Sequence, residues 1–253
     1  MTKVAPIIGN DPLLPLGFQT PQGRYLLAWE QQLLNGWVAD VFGFHAVQLG
    51  WPALESLRMN RMPHRWRVDH EGSPERADAA LRADFSALPF PSASLDLIVM
   101  PHTLEQAQDP HRTLREAERV LVADGRLMLV GFNPVGLWAW QRQPIHEGAA
   151  TARSVWIGHR RARDWLHLLG FEILQEQFGV YRPPLRHAVW LERCAWMDRV
   201  GPLAWPMLSA VYAIEAVKRI QGVHLIRPRR ATPLRPMPAA AATTPRQSHP
   251  EPH

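Results

Sequence analysis

A chain of 253 residues with 46% hydrophobic content can bury one full core, so a single domain over residues 1–226 is expected. One cysteine, Cys194, excludes a disulfide framework within the chain; no cysteine pair or tight histidine pair offers a zinc site, no metal is expected, and a reducing cytoplasm fits. The net charge of +5 suggests nucleic acid until it is located: five arginines against Glu251 put +4 in the segment from Arg227 to His253 and leave +1 for the rest.

The start, MTKVAPIIGNDPLLPLG, has no cationic segment followed by a long apolar block. No stretch reaches the roughly 18 uninterrupted apolar residues of a membrane span, so a soluble protein is expected. Arg24 to Val41 places Leu26, Leu27, Leu33, Leu34, Trp37 and Val41 along a broad helical stripe, which predicts a helical cap over about 20–42. Phe44 to Leu49 reads as the first strand, followed by the turn Gly50-Trp51-Pro52, and Arg65 to Asp69 reads as the second.

Leu95 to Met100 (LDLIVM) is a nearly continuous apolar run, as a strand buried on both faces of a parallel sheet requires. Asp109-Pro110 is a helix start: a side-chain oxygen for the orphan amides, and a ring whose missing amide costs nothing at the first helical position. Leu114, Ala117, Val120 and Leu121 recur at helical spacing among charged residues, His111 being a first-turn residue. Asp124-Gly125 then breaks the helix before the strand Leu127 to Phe132. The unit is βαβ. Further on, Arg161 to Leu169 reads as a helix closed by Gly170, and Phe171 to Val180 as a strand. Ala210 to Ile220 suits helix or strand on its residues. Tyr181 to Pro206, rich in tryptophan and arginine, is expected as a cap or insertion beside the substrate mouth. Residues 227–253, with seven prolines and an alanine run, read as a disordered basic tail. RNA or membrane-surface contact through that tail has no aromatic residues to support it, and no DNA binding is expected.

In order along the chain, Asp84 with Leu88-Pro89-Phe90, the strand Leu95 to Met100, His102 to Glu105, the helix Asp109 to Leu121 and the turn Asp124 to Leu127 resemble the signature of class I S-adenosylmethionine (SAM)-dependent methyltransferases of type 11. The phrases FGFHAVQLG and LVGFNP are similar to a small branch of these, the YafS-like methyltransferases. The resemblance implies a Rossmann-like α/β fold: a seven-stranded, mostly parallel sheet with helices on both faces. It also assigns Ala210 to Ile220 to a final antiparallel edge strand, and it implies SAM as cofactor.

The family's first loop is glycine-rich and follows an acidic residue. Here Gln48 stands at the acid's place, Gly50 is the one glycine, and Trp51-Pro52 occupies the loop, which implies a rerouted loop or a filled cofactor site. By resemblance, Asp69 accepts from the ribose hydroxyls, Asp84 from the adenine amino group, Phe85 flanks the ring, and Pro101 ends the fourth strand at the cofactor. Asp69 and Asp84 also read as a strand-end acid and a turn cap. His102 is expected at the open rim, where it orients a substrate, acts as a base, or holds the loop by a hydrogen bond. Glu105 is a weaker candidate, and Asn133 is a candidate substrate-rim contact. Methyl transfer from a sulfonium needs position and orientation above all, so no universal catalytic residue is expected. The implied function is methyl transfer to a small-molecule acceptor; the alternative, carried by Trp51-Pro52, is an inactive scaffold with a binding role. A dehydrogenase is disfavoured by the missing G-x-G-x-x-G.

Overall fold

The computed structural model describes residues 19–70, 81–141, 156–185 and 187–219, without the side chains of Trp140 and Gln141. All of these lie in one unit, Met1–Gln221; a second unit, Gly222–His253, contains the basic tail and falls outside the described residues.

Helix α1 (Pro21–Ala39) begins where Thr20 accepts from the amide of Gly23 and Pro21 takes the first helical position. The strands β1 (His45–Leu49), β2 (His64–His70), β3 (Leu81–Ala83), β4 (Leu95–Pro101), β5 (Leu121–Phe132), β6 (Phe171–Gly179) and β7 (Val211–Lys218) form one sheet in the order β3-β2-β1-β4-β5-β7-β6. β7 runs antiparallel to both its neighbours, and the other pairings are parallel. Consecutive residues of the central strands feed two cores. Ile98, Met100, Leu127 and Leu129 pack with Leu114, Ala117 and Val120 of α3 (Pro110–Val120) and with Ala162 and Leu166 of α4 (His159–Leu168). Leu97, Val99, Met128 and Val130 pack under Leu26, Leu34, Trp37 and Val38 of α1. The sheet is therefore covered on both faces, as mostly parallel sheets must be.

Two elements differ from the sequence reading. Helix α3 ends at Val120, and Leu121 opens β5 rather than closing the helix. Leu121 is fully buried and pairs with Leu95, so strand pairing wins over the helical stripe, and a register shift between Leu95 and Leu97 absorbs the turn at Asp124-Gly125. The segment Ala210–Ile220 does supply an antiparallel strand, but β7 lies inside the sheet between β5 and β6, and β6 is the edge. The burial of Val211 through Val217 against the half-exposed β6 follows from that position.

Helix α3 also holds the loop leading to Phe90. Glu116 accepts from the amide of Leu88 (2.9 Å), and Arg119 donates to the carbonyls of Leu88 (3.2 Å) and Phe90 (2.9 Å). Arg119 beside Glu116 keeps that carboxyl below its ordinary range. The spacing of Leu88-Pro89-Phe90 with Glu116 and Arg119 is thus a clasp that fixes the chain after β3. Between Tyr181 and Pro206 the structure has the short helices α5 (Ala188–Arg193) and α6 (Met197–Ala204). Among the described residues no helix is long and apolar enough to cross a membrane.

Where β5 meets the start of β7, Asn133 N–H donates to Ala210 O (2.8 Å), and a Cβ on Gly136 would lie 2.0 Å from the carbonyl oxygen of Ser209. That oxygen belongs to the backbone and cannot swing aside. Gly136→Ala is expected to cost about 2 kcal/mol, read as a fall in Tm of roughly 4–8 °C for a domain of this size; an unchanged Tm would mean that the junction is not tight.

Candidate cofactor site

In a sheet of this order the strands wind outward in opposite directions from β1 and β4, and ligands bind beyond the carboxyl ends of those two strands. β1 ends at Leu49 and is followed by Gly50 (φ +71) and Trp51 (φ +50). β4 ends at Pro101 and is followed by His102 (φ +50). Two bulky residues in the left-handed region at one crevice are strained, at about 1–2 kcal/mol each. The strain turns Trp51 inward: the residue is fully buried, its ring centroid 4.4 Å from that of His102, with Phe132 edge-on. His102 in turn stacks on Phe132 (4.0 Å) and Phe132 on Trp156 (4.7 Å).

Gln48 explains how the loop is rerouted. Its amide nitrogen lies within donor distance of the carbonyls of Gly50 (3.1 Å), Trp51 (3.2 Å) and Leu54 (2.8 Å), and its oxygen accepts from the amide of Ser56 (3.0 Å). A carboxylate has no donor to offer three carbonyls, so the amide is what this loop requires in place of the family's acid.

Beneath the Trp51 ring lies a buried ionic cluster. His102 Nε2 is 2.6 Å from Glu30 Oε1 of α1, and His102 Nδ1 is 3.7 Å from Glu105 Oε1 of α2 (Thr103–Gln106). Glu105 Oε1 also accepts from the amide of Phe132 (2.7 Å). Burial depresses the imidazole's pKa more than any other single influence, but the two acids together overcome it and raise it to about 9. His102 is therefore an imidazolium at neutral pH. The second oxygens of Glu30 and Glu105, and Nδ1 of His102, are buried without a hydrogen-bond partner. A buried charge left unpaired is costly. Among the described residues no group of His, Cys, Asp and Glu is arranged to hold a metal ion.

The remaining candidates fall into three places. Asp69 is the buried penultimate residue of β2. Asp84 follows β3 at the surface, where its carboxyl accepts from the amide (2.9 Å) and hydroxyl (2.7 Å) of Ser86, both of which hold its pKa below the ordinary value. The Phe85 ring comes within 3.3 Å of where a Cβ on Gly50 would stand, so residues 35 apart in sequence meet at the end of β1, with His70 edge-on to Phe85. Pro101 is the buried last residue of β4. Two rim assignments need correction. His102 is fully buried, and at about 9 its pKa makes it a poor base at pH 7. The Asn133 side chain is likewise spent inside the chain: its Nδ2 donates to the carbonyls of Met207 (2.8 Å) and Ser209 (3.0 Å), and its Oδ1 accepts from the amide of Val135 (3.1 Å). Glu30 was not singled out from sequence. Its signal is an acid at the centre of the apolar stripe Leu26, Leu27, Leu33, Leu34.

The donor set tests the implied cofactor. A sulfonium is a cation, and the orphaned carboxyl oxygens of Glu30 and Glu105 are groups of the kind that would face one. Asp69, Asp84 and Phe85 are of the kind a nucleoside needs. The polarity fits; the Trp51 ring fills the crevice between β1 and β4 and must turn out for the methionine half to enter.

The folded-state pKa of His102 lies above its ordinary value of 6.5. The stability it contributes is therefore complete below about pH 6.5 and lost as pH rises through about 9. Tm is expected to fall across that window in the wild type and to stay flatter in His102→Gln. Breaking the pair with Glu30→Ala is expected to cost on the order of 3 kcal/mol at neutral pH by denaturant unfolding; a loss below about 1 kcal/mol, the level of an exposed pair, would contradict the pairing. Gln48→Glu is expected to destabilise by about 2–3 kcal/mol by setting a carboxylate against three carbonyls.

A methyltransferase domain family matches residues 62–129, the stretch from the approach to β2 into β5. The uncharacterized protein YafS of Escherichia coli (strain K12) is 36% identical over 175 residues, covering 68% of each chain. A SAM-dependent methyltransferase from Archaeoglobus fulgidus superposes with a TM-score of 0.54 at 16% identity, over 77% of this chain and 94% of that one. A SAM-dependent methyltransferase of Thermotoga maritima, described as a possible histamine N-methyltransferase, superposes with a TM-score of 0.51 at 15% identity, over 77% and 93%. At such identities the superpositions speak for the fold, while the match to YafS carries the kinship; the chain belongs to the class I SAM-dependent methyltransferases, in the branch that contains YafS.

Proposed function

We propose that the chain binds SAM at the β1–β4 crevice and transfers its methyl group to a small-molecule acceptor in the cytoplasm. The observation that carries this reading is the pair of carboxyl oxygens, one each on Glu30 and Glu105, buried beside His102 without a hydrogen-bond partner. A protein that had given up a cationic ligand gains nothing by keeping two buried carboxylate oxygens without partners, whereas a sulfonium gives them one. SAM when bound supplies an electrophilic methyl on a good leaving group. The chain's own residues then have positioning to do, a contribution that reaches roughly 7–11 kcal/mol in well-oriented systems. Asp84 and Phe85 hold the nucleoside, Asp69 the ribose, Glu30 and Glu105 the positive charge. His102 keeps its proton and locks Glu30, so it orients rather than abstracts.

A second reading has its own observation. Trp51 is buried in the crevice, and the Gln48 hydrogen bonds fix the loop that carries it; if that loop never opens, the chain is a scaffold that binds other partners.

Calorimetric titration separates the two. SAM is expected to bind in the micromolar range and more tightly than its neutral demethylated product. Glu105→Gln is expected to reduce SAM binding while sparing the product. Asp84→Ala is expected to weaken both about tenfold, the value of one hydrogen bond to a charged group. No binding to the folded wild type or to Trp51→Gly would establish the scaffold reading.

A further inference from the structure

A second cavity, of about 430 Å³, opens between α1 and the carboxyl end of β6. β6 is antiparallel to β7 and so runs parallel to β5, which puts this cavity on the same edge of the sheet as the β1–β4 crevice, on the side of β5 and beyond. The size is that of a small-molecule site. Its walls are aromatic: Tyr25 and Trp29 from α1, Phe178 from β6, and Tyr181. Trp29 is pressed into place by Gly179, where a Cβ would stand 2.0 Å from the indole.

Around Arg182 the cavity offers hydrogen-bond donors, with the amide of Gln32 as a further lining polar group. Asp198 spends both oxygens, one accepting from the Tyr25 hydroxyl and the other from Arg182 Nε at 2.8 Å. Arg182 lies over the Tyr25 ring at 4.5 Å and uses only that Nε among the described residues, so both terminal nitrogens of its guanidinium keep their N–H groups. The Tyr181 hydroxyl is buried without a hydrogen-bond partner. Burial and the nearby Asp198 charge raise its pKa to about 12, so it remains a donor at any physiological pH. An aromatic wall with a guanidinium fork and a spare hydroxyl, next to an acid whose two oxygens each already accept a hydrogen bond, selects a flat apolar body carrying acceptor oxygens.

We propose that this cavity binds a planar aromatic acid, its ring against the Trp29–Phe178–Tyr181 wall and its carboxylate on the terminal nitrogens of Arg182 and the Tyr181 hydroxyl. Taking that acid as the methyl acceptor rests on the function proposed above; the binding itself does not.

The test is calorimetric titration of the full chain, without SAM, with 2-naphthoate, 2-naphthylmethanol and 2-naphthylmethylammonium. Naphthoate is expected to bind in the sub-millimolar range and at least tenfold more tightly than the amine. Arg182→Gln, shown to be folded by circular dichroism, is expected to lower naphthoate affinity about tenfold and erase that preference, one charge-assisted hydrogen bond being of that size. Tyr181→Phe removes a hydroxyl that has no partner in the free protein, so it is expected to hold or raise Tm while weakening naphthoate severalfold. Absence of binding at millimolar naphthoate, equal affinity for the three probes, or unchanged affinity in both variants would overturn the assignment. SAM titrated into the same sample reports separately: naphthoate binding without SAM binding sinks methyl transfer and leaves the cavity, and the reverse sinks the cavity alone.

Discussion

The ion pair between Glu30 and His102 joins residues 72 apart, ties the middle of α1 to the end of β4, and lies wholly out of water. Much else follows from it. α1 precedes the sheet in sequence, and its apolar stripe alone would let it slide along the face it covers. A 2.6 Å contact between two buried groups fixes its position along that face. The same helix carries Trp29 immediately before Glu30 and Tyr25 more than a turn earlier, so the aromatic cavity at β6 shares its α1 wall with the pair at β4. Buried ion pairs rarely add net stability over a well-packed apolar alternative, because desolvation offsets most of the attraction. What such a pair can add is register, since sliding α1 along the sheet would separate Glu30 from His102.

Glu105 makes the arrangement more than a staple. Its carboxyl group anchors the amide of Phe132 and faces the same imidazole, and its second oxygen, like that of Glu30, is buried without a partner. Trp51 covers that cluster with an aromatic face, and the Gln48 amide holds the loop in the shape that allows it. The residues that depart from the family pattern in the first loop, Gln48 and Trp51, thus place an indole against His102, which with Glu105 belongs to that pattern.

The fold was legible where one residue pattern had one structural solution. The apolar run Leu95 to Met100, the cap Asp109-Pro110 and the second apolar run Leu127 to Phe132 fix a parallel sheet with a crossing helix, and the structure contains each. The antiparallel sense of β7 came from family resemblance, since Ala210 to Ile220 suits two conformations. Its place inside the sheet depends on pairing to both β5 and β6, which no local pattern encodes. The site was less legible. His102 follows a strand end, where exposure is the usual outcome, and only the arrival of α1 and the Trp51 ring buries it. Glu30 was hidden because a lone acid in a helical stripe acquires meaning only from the group it meets. Asn133 reads as a rim residue in GFNP, yet the backbone of Met207 and Ser209 claims its amide once β7 is in place.

The most direct measurement is a pH titration of the His102 imidazole by NMR in carbon-13 histidine-labelled protein, the resonance being assigned by its loss in His102→Gln. The account expects the ring to remain an imidazolium past neutrality and to lose its proton near pH 9, with the fold still intact at pH 8. A resonance that titrates at or below the ordinary histidine value of 6.5 would mean that the ion pair does not hold the crevice, and the charge argument for a cationic cofactor would fall with it.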